Sequence, residues 1–380
     1  MNAKNKTLSS RLRIAGFRLA RHHLAGKARA APSAICRDVC GIQAQVMSAA
    51  ALALWARNHQ LARAEIQSAL WESRTLVKTG LMRGTLHLVA AEDFPVYIAA
   101  LRSSRVRQTL QIMARYGVSE KEARAAGDAV IEMLRAGPLT KQELTERVLA
   151  LGIASKKARR WFELSSWGVG RMPIVEGRVC YGPARGQDVT LIRTDRWLPE
   201  HKPVSEQEGQ RIFLRRYLGA YGPADARDFS KWSGLSASEV RSLWLSLESE
   251  LVAVNADGRQ GFMLREDADA LGDSDFCGGV LRLLPNFDAY LLGHLNKDHL
   301  LDARHYKRVY RNQGWVSPVL LVDGRAQGVW SHVQRKDNFE LRVTPFSRLS
   351  NIVSSKLQEE ASDLGRFLEC PNVNTVVARD

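Results

Sequence analysis

Two glutamines, Gln43 and Gln45, lie one residue apart in the stretch DVCGIQAQVMSAAALALWARN at positions 38–58. A glutamine side chain has no useful pKa, so it cannot act as a general base in the way that a carboxylate or a histidine does. It can orient a water molecule, because its carbonyl accepts and its NH2 group donates hydrogen bonds. The small, apolar residues that follow predict a buried helix, where an unpaired amide costs roughly 1–3 kcal/mol. The residue types alone therefore leave two interpretations: helix-end amides that bond to the backbone, or amides that serve a site at the edge of the core.

The histidines do not form a recognisable catalytic or metal site. His87, in RGTLHLV, alternates with leucines, so its side chain faces opposite to theirs on a predicted strand. A lone strand histidine is more often structural than catalytic. Neither a Ser-His-Asp nor a Cys-His arrangement is evident, and the spacing of a helical metal pair is missing from His294, His299 and His305.

The five cysteines are scattered along the chain. Only Cys36 and Cys40 are close, at C-x3-C, and no second pair follows at zinc-finger spacing. This usage predicts reduced thiols that fill the core. We therefore expect no metal site and a cytoplasmic protein; no cofactor is expected either, since no phosphate-cradling glycine loop is evident.

The composition favours a polyanionic partner. Lys and Arg outnumber Asp and Glu by 55 to 40, which gives a net charge of +15. Such an excess suits nucleic acid first and an anionic membrane surface second. No uninterrupted apolar run reaches about 18 residues, so we expect no membrane-spanning segment. A chain of 380 residues is long enough for several domains.

A helix–turn–helix pattern occurs twice. Residues 137–152 and 222–235 each open with Gly-Pro and continue as an amphipathic helix, and second helices begin at Ser155 and Ser236. Thr140 with Glu143, and Ser236 with Glu239, have the spacing of a capping box, which places two helix starts. Further helices at 119–136 and 205–221 precede the two pairs.

Each helix pair is followed by a strand–turn–strand pattern. The turns are predicted at Glu176-Gly177 and at Asp257-Gly258, because glycine after an acidic residue between β-formers favours a hairpin. Three helices and a hairpin make a winged helix. A looser third copy has its helix at 63–74 and its wing at 75–93.

The sequence after about residue 276 changes to short strands with a hairpin at Asp323-Gly324, and a helix is predicted near 350–369. We therefore predict an α+β protein with three tandem winged helices and a C-terminal β-barrel-like domain. The expected domains are 1–118, with the glutamine pair, then 119–202, 203–275 and 276–380.

Arginines flank the glycines of the predicted hairpin turns. Arg178, Arg259 and Arg325 follow a glycine, whereas Arg83 precedes Gly84. An arginine at a hairpin tip can enter a narrow minor groove or contact phosphates. A hairpin tip is also exposed, and exposed positions hold charges in any case, so each arginine alone has a simpler explanation.

The combination of GIQAQ, ALALWAR, LMRGTLHLV, GPADARDF, LPNFDAYLLGH and VLLVDGRAQGVW resembles the AlkZ/YcaQ family of winged-helix DNA glycosylases, over roughly residues 8–370. The resemblance implies a C-shaped clamp on double-stranded DNA and excision of alkylated purines, with unhooking of interstrand crosslinks in some members. The family's catalytic motif is Gln-apolar-Gln or Gln-apolar-Asp. Gln43-Ala44-Gln45 is similar to the first form, that of the AlkZ branch, although alanine is small for the middle position.

This resemblance implies that Gln43 and Gln45 are catalytic. Cationic N7-alkylated purines are good leaving groups, so positioning a water and stabilising an oxocarbenium-like sugar would suffice. No lysine stands at a Schiff-base motif, which favours a monofunctional hydrolase of N-glycosyl bonds in base excision repair or genotoxin self-resistance. A self-contained clamp favours a monomer, and the resemblance implies a place in the bacterial cytoplasm or nucleoid. Expected DNA contacts are Arg83, Thr85, His87, Arg178, Arg259, Asp323, Gly324 and Arg325; the last hairpin is expected to probe the groove.

Two other classes of protein remain open at this point. Winged helices are most often transcription factors, and a fold does not imply a function. A non-catalytic DNA-binding regulator would bind one operator sequence. A damage-binding or antibiotic-sequestering protein would bind its target without turnover.

Overall fold

The protein has a mixed α+β fold, as the sequence predicted. The computed structural model describes residues 7–8, 11–256, 259–335 and 337–378. None of the helices in these ranges is long and apolar enough to cross a membrane. The helices are α1 Arg11–Arg21, α2 Pro32–Asp38, α3 Met47–Trp55, α4 Arg63–Trp71, α5 Phe94–Arg115, α6 Glu120–Met133, α7 Lys141–Ala150, α8 Lys156–Leu164, α9 Arg171–Val175, α10 Thr194–Trp197, α11 Glu206–Tyr221, α12 Ala226–Ser233, α13 Ala237–Ser246, α14 Ala268–Gly272, α15 Ala289–Leu292, α16 Tyr306–Val309 and α17 Asn351–Phe367.

Short strands lie between these helices. They are β1 Thr7–Leu8, β2 Ile42–Gln43, β3 Leu76–Gly80, β4 Leu86–Ala90, β5 Leu139–Thr140, β6 Val179–Arg185, β7 Asp188–Arg193, β8 Leu251–Ala256, β9 Arg259–Leu264, β10 Leu281–Leu284, β11 Val319–Val322, β12 Arg325–Arg335, β13 Asn338–Pro345 and β14 Asn372–Val377.

The chain divides into two compact units. Unit 1 contains the residues up to Gln67 and those from Leu214 onward, and unit 2 contains Ser68–Phe213. The finer division into four domains that the sequence suggested stays a prediction.

Unit 2 contains the β3–β4 hairpin, helices α5 to α10 and a sheet in the order β5-β7-β6. Both capping interactions predicted for Thr140 and Glu143 form, because the threonine hydroxyl accepts from the Glu143 N–H and the carboxylate accepts from the Thr140 N–H. Helices α6 to α9 and strands β6 and β7 bury a continuous apolar core, which includes Leu144, Phe162 and Ile174.

The prediction of a hairpin turn at Glu176-Gly177 is wrong. Residues 171–175 form helix α9, which buries Met172 and Ile174 on the core side. Gly177, at φ 75°, ends this helix, and the Arg178 N–H donates to the carbonyl of Pro173 at 2.9 Å. A glycine with a positive φ angle after an acidic residue can end a helix as readily as it can form a hairpin turn. The wing lies further along the chain, where β6 and β7 turn at Gly186.

Unit 1 contains α12, α13 and the antiparallel pair β8–β9 in the predicted order. The capping box of Ser236 and Glu239 is present, whereas the predicted turn at Asp257-Gly258 lies outside the described residues. Strands β10 to β14 form one sheet in sequential order, with β14 parallel to β13. The predicted hairpin at Asp323-Gly324 is confirmed, and α17 is the predicted C-terminal helix.

An aromatic cluster forms much of the core around α11 and α12. Tyr217 stacks on Tyr221 with ring centroids 5.1 Å apart, and Trp232 lies 4.9 Å from Tyr217. The hydroxyl groups of both tyrosines donate to backbone carbonyls, so their burial leaves no hydroxyl proton unpaired.

Candidate active site

Gln43 and Gln45 lie on a short segment between α2 and α3 rather than inside a helix. Cys40 and Gly41 have positive φ angles of 57° and 87°, and this left-handed turn redirects the chain after α2. Gln43, on β2, is only 9% exposed, whereas Gln45 is exposed. Ala44 between them is fully buried. The predicted buried helix begins only after the pair, as α3.

Two polar networks fix the far end of α3 within unit 1. The indole N–H of Trp55 donates to Asp363 at 3.0 Å, and the ammonium group of Lys27 lies 4.1 Å from a Trp55 ring centroid. Arg57 and Asp288, both fully buried, form a bidentate ion pair with two contacts of 2.7 Å. A helix held in this way gives the glutamine segment a rigid support.

The β3–β4 hairpin of unit 2 carries three of the predicted DNA-contact residues, Arg83, Thr85 and His87. Its turn uses two left-handed residues, Arg83 at φ 54° and Gly84 at φ 72°. The Thr85 hydroxyl donates to the carbonyl of Met82 at 3.2 Å. Thr85 therefore stabilises the turn that presents Arg83.

His87 is a neutral histidine in a fixed tautomer. Only 2% of it is exposed, and it pairs across the hairpin with Thr79. Burial and the charge of Arg83 lower the pKa of His87 to about 3. Its Nδ1 lies 3.0 Å from the carbonyl oxygen of Thr85, an acceptor, so a neutral ring carries its proton on Nδ1 and its lone pair on Nε2. At neutral pH the ring therefore donates a hydrogen bond from Nδ1, can accept one at Nε2, and cannot act as a general acid.

Arg178 does not lie at a hairpin tip, since the predicted turn is a helix end. Its guanidinium forms ion pairs with Asp128 at 2.9 Å and with Glu176 at 3.4 Å, all within unit 2. These bonds connect the end of α9 to α6.

Four other predicted residues line one cavity of about 300 Å³ in unit 1: Arg259, Asp323, Gly324 and Arg325. Residues of helix α1 and Tyr290 also line this cavity. The structure therefore brings together the beginning of β9 and the β11–β12 turn, which are remote in sequence.

The β11–β12 turn is held by several contacts within unit 1, and its role in probing a DNA groove stays a prediction. A carboxylate oxygen of Asp323 accepts from the Val280 N–H at 2.8 Å. Gly324 is buried, and a Cβ there would lie 2.9 Å from the hydroxyl of Tyr290. Arg325 donates to the carbonyl of His299 and to other acceptors nearby. The turn is built into the wall of the cavity.

Two arginines near the β3–β4 hairpin were not found from the sequence. Arg105 on α5 and Arg171 at the start of α9 approach this hairpin within unit 2. Both occur in ordinary amphipathic stretches, and only the tertiary fold distinguishes them from solvent-facing arginines. No group of three or more histidine, cysteine or acidic side chains within the described ranges is arranged to hold a metal ion.

Comparison with known proteins decides between the classes left open by the sequence. The sequence model of the AlkZ-like DNA glycosylases matches residues 36–367. The chain belongs to this family. The interstrand DNA cross-link repair glycosylase of Streptomyces sahachiroi is 31% identical over 362 residues, which cover 93% of this chain and 95% of that protein. The solved structure of the Streptomyces sahachiroi DNA glycosylase AlkZ matches with a TM-score of 0.86 and 29% identity, over 98% of this chain and 100% of that one.

Membership of the AlkZ-like family makes the protein a DNA glycosylase, a hydrolase of N-glycosyl bonds whose substrate is DNA. The resemblance seen in the motifs is thereby confirmed.

Proposed function

We propose that this AlkZ-like protein hydrolyses the N-glycosidic bond of cationic N7-alkylated purines in duplex DNA, and that it unhooks interstrand crosslinks formed through such purines. We also propose that it acts as a monomer, with Gln43 and Gln45 as its catalytic residues. The relative from Streptomyces sahachiroi is named as an interstrand DNA cross-link repair glycosylase.

The observation that carries the proposal is the geometry of the Gln43-Ala44-Gln45 segment. The two amides differ in exposure, since Gln43 is almost buried and Gln45 is exposed. The exposed amide of Gln45 suits a group that holds the attacking water, and the buried amide of Gln43 suits one that aligns this water or contacts the deoxyribose. Ala44 has no exposed surface, so a larger middle residue would require the core to open.

Neutral amides are sufficient because the leaving group needs no help. N7-alkylation makes the purine cationic, and the departing base then leaves neutral without protonation. The remaining task is to position a water beside a developing oxocarbenium ion. His87 is not required as a proton donor in this scheme, because its pKa of about 3 keeps the ring uncharged at neutral pH. An uncharged, normal purine would leave too slowly, which gives selectivity for damaged bases.

The first experiment measures turnover. A ten- to hundredfold excess of duplex containing N7-methylguanine, and separately of a nitrogen-mustard-crosslinked duplex, is incubated with the protein and the released bases are counted. Release of many bases per protein molecule on both substrates supports the full proposal. Release from the first duplex alone limits the protein to monoadducts. Stoichiometric binding without release would refute glycosylase activity on these lesions and favour a damage-binding protein.

A borohydride trap tests the monofunctional mechanism. Hydrolysis by water leaves no covalent intermediate, so the protein should not become linked to DNA when borohydride is added during the reaction. Lys78 is the lysine to replace if a linked species appears, because burial lowers its pKa and would favour the nucleophilic free amine.

A further inference from the structure

A buried arginine lies directly beneath the β3–β4 turn. Arg105, on α5, is only 8% exposed. A Cβ built on Gly84 would overlap its Nη2 atom, so the guanidinium is in immediate contact with the turn. Its Nη1 atom donates to the amide oxygen of Gln108 at 2.8 Å, which is a neutral partner. Buried charges in proteins are usually paired with an opposite charge.

The charged groups around Arg105 have the same sign as Arg105. Burial, then the charges of Arg171 and Arg83, lower the pKa of Arg105 to about 10. Arg171 lies with its guanidinium carbon 5.4 Å from a ring centroid of Trp167, and its buried Nε has no hydrogen-bond partner among the described residues. Within the same described ranges, neither Arg105 nor Arg171 forms an ion pair with a carboxylate. An anion that neutralises Arg105 and Arg171 would therefore have to come from outside unit 2.

We propose that Arg105 and Arg171, together with Arg83, form a binding site for a phosphodiester group of DNA beneath the β3–β4 turn. A guanidinium suits this ligand because its planar fork matches two oxygens of a phosphate. Gly84 suits the site because any side chain there would collide with Arg105. His87 stays neutral beside the arginines and does not compete for the anion. The choice of DNA as the source of the phosphate rests on the proposed function; the anion site itself does not.

The proposal predicts opposite effects on stability and on binding. Replacing Arg105 by glutamine, or Arg171 by methionine, removes a charge that repels its neighbours, so the free protein should melt at the same temperature or higher. The same change should weaken DNA binding by about tenfold or more, the effect of losing one charge-assisted hydrogen bond. It should also reduce the slope of log affinity against log salt concentration by about 0.9 for the lost phosphate contact.

Arg193→Met is the matched control. Arg193 is another arginine of unit 2, but it is already neutralised by two contacts to Asp195, at 3.0 and 2.6 Å. Its removal should leave the salt slope unchanged and should not stabilise the protein. Arg105→Lys keeps the charge but loses the fork, so it should retain the slope while binding more weakly.

The test combines fluorescence anisotropy of undamaged and N7-methylguanine duplexes over a salt series with melting curves in inorganic phosphate. We expect equal losses on both duplexes, since phosphate contacts do not depend on the base, and phosphate should stabilise the wild type more than Arg105→Gln. Unchanged slopes would overturn the assignment to DNA, and stabilisation by free phosphate with unchanged slopes would assign a different anion. A fall in the melting temperature of Arg105→Gln that is large enough to explain the lost binding would also overturn the proposed phosphate site. Failure of the proposed function is distinguishable, because the wild type would then release no base while the slopes still differed.

Discussion

Arg57→Met should destabilise unit 1 by about 3–5 kcal/mol, because it leaves a buried carboxylate without its cation. In the wild type, Nη1 and Nη2 of Arg57 donate to the two carboxylate oxygens of Asp288, each at 2.7 Å. Both side chains are 0% exposed, so water cannot replace the lost partner. Methionine fills a similar volume and leaves the charge of Asp288 as the main change.

A second substitution separates the charge from the packing. Asp288→Asn keeps an oxygen that can accept from the Tyr290 N–H, which the carboxylate accepts at 2.9 Å, but it leaves Arg57 as the unpaired charge. The double variant contains neither charge. Its cost should be smaller than the sum of the two single costs by about 2 kcal/mol or more, as expected for residues in direct contact.

Urea unfolding followed by circular dichroism gives the free energies, and hydrogen exchange of the α3 amides reports on the element itself. Both are needed because a protein with two compact units need not unfold in one step. A cost below about 1 kcal/mol for Arg57→Met, or simple additivity in the double variant, would refute the view that this pair holds α3 in place.

Further predictions follow from buried and exposed groups. Burial lowers the pKa of His22, His87 and His294, so the unfolded chain binds protons at these residues before the folded protein does. The free energy of unfolding should therefore fall as the pH drops below about 6.5, by about 1.4 kcal/mol per pH unit for each histidine. Urea midpoints that do not change between pH 7 and 4 would contradict this. Cys277 is exposed and the other four cysteines are buried, so a thiol reagent should modify one site rapidly in the native protein and five in denaturant. Gly84→Ala should lower the free energy of unfolding by about 1–2 kcal/mol because the residue has a left-handed backbone. It should also weaken DNA binding, because the new methyl group displaces Arg105. Melting curves and anisotropy measure the two effects, and an alanine variant that matches the wild type in both would be inconsistent with the turn geometry.

Local patterns predicted the elements that depend on neighbouring residues. Thr140 and Ser236 each cap a helix with the glutamate three residues later, as expected for side chains that bond to the nearest free N–H groups. The Asp323-Gly324 hairpin is also a local feature, because a two-residue hairpin turn requires only that these two residues adopt positive φ angles. Such features require only the short-range geometry of the backbone.

Patterns with two local solutions could not be resolved from the sequence. Gly177 could end a helix or turn a hairpin, and the packing of Met172 and Ile174 into the core of unit 2 selects the helix end. The parallel strand β14 was missed, since it pairs with β13 across the intervening helix α17. A long-range pairing of this kind leaves little signal in the strand itself.

The candidate site was predicted only in part for a related reason. The glutamine pair was visible because two amides beside an apolar run are unusual, although their segment is extended rather than helical. Arg105 and Arg171 could not be recognised from the sequence, because their significance depends on a hairpin that precedes both of them in the chain. It also depends on the lack of an ion pair with a carboxylate in the described part of the chain. The burial of Arg57 against a carboxylate 231 residues away is equally a property of the tertiary fold.

The most direct test of the catalytic assignment is single-turnover cleavage of duplex DNA carrying one N7-methylguanine, with alkaline cleavage of the abasic product. Wild type is compared with Gln43→Ala and Gln45→Ala, and DNA binding is measured for all three. We predict strand breaks with the wild type and a loss of about a hundredfold or more in each variant, the scale expected when a positioning group is removed, while binding persists. Variants that release the base at the wild-type rate would contradict the assignment of the chemistry to this pair.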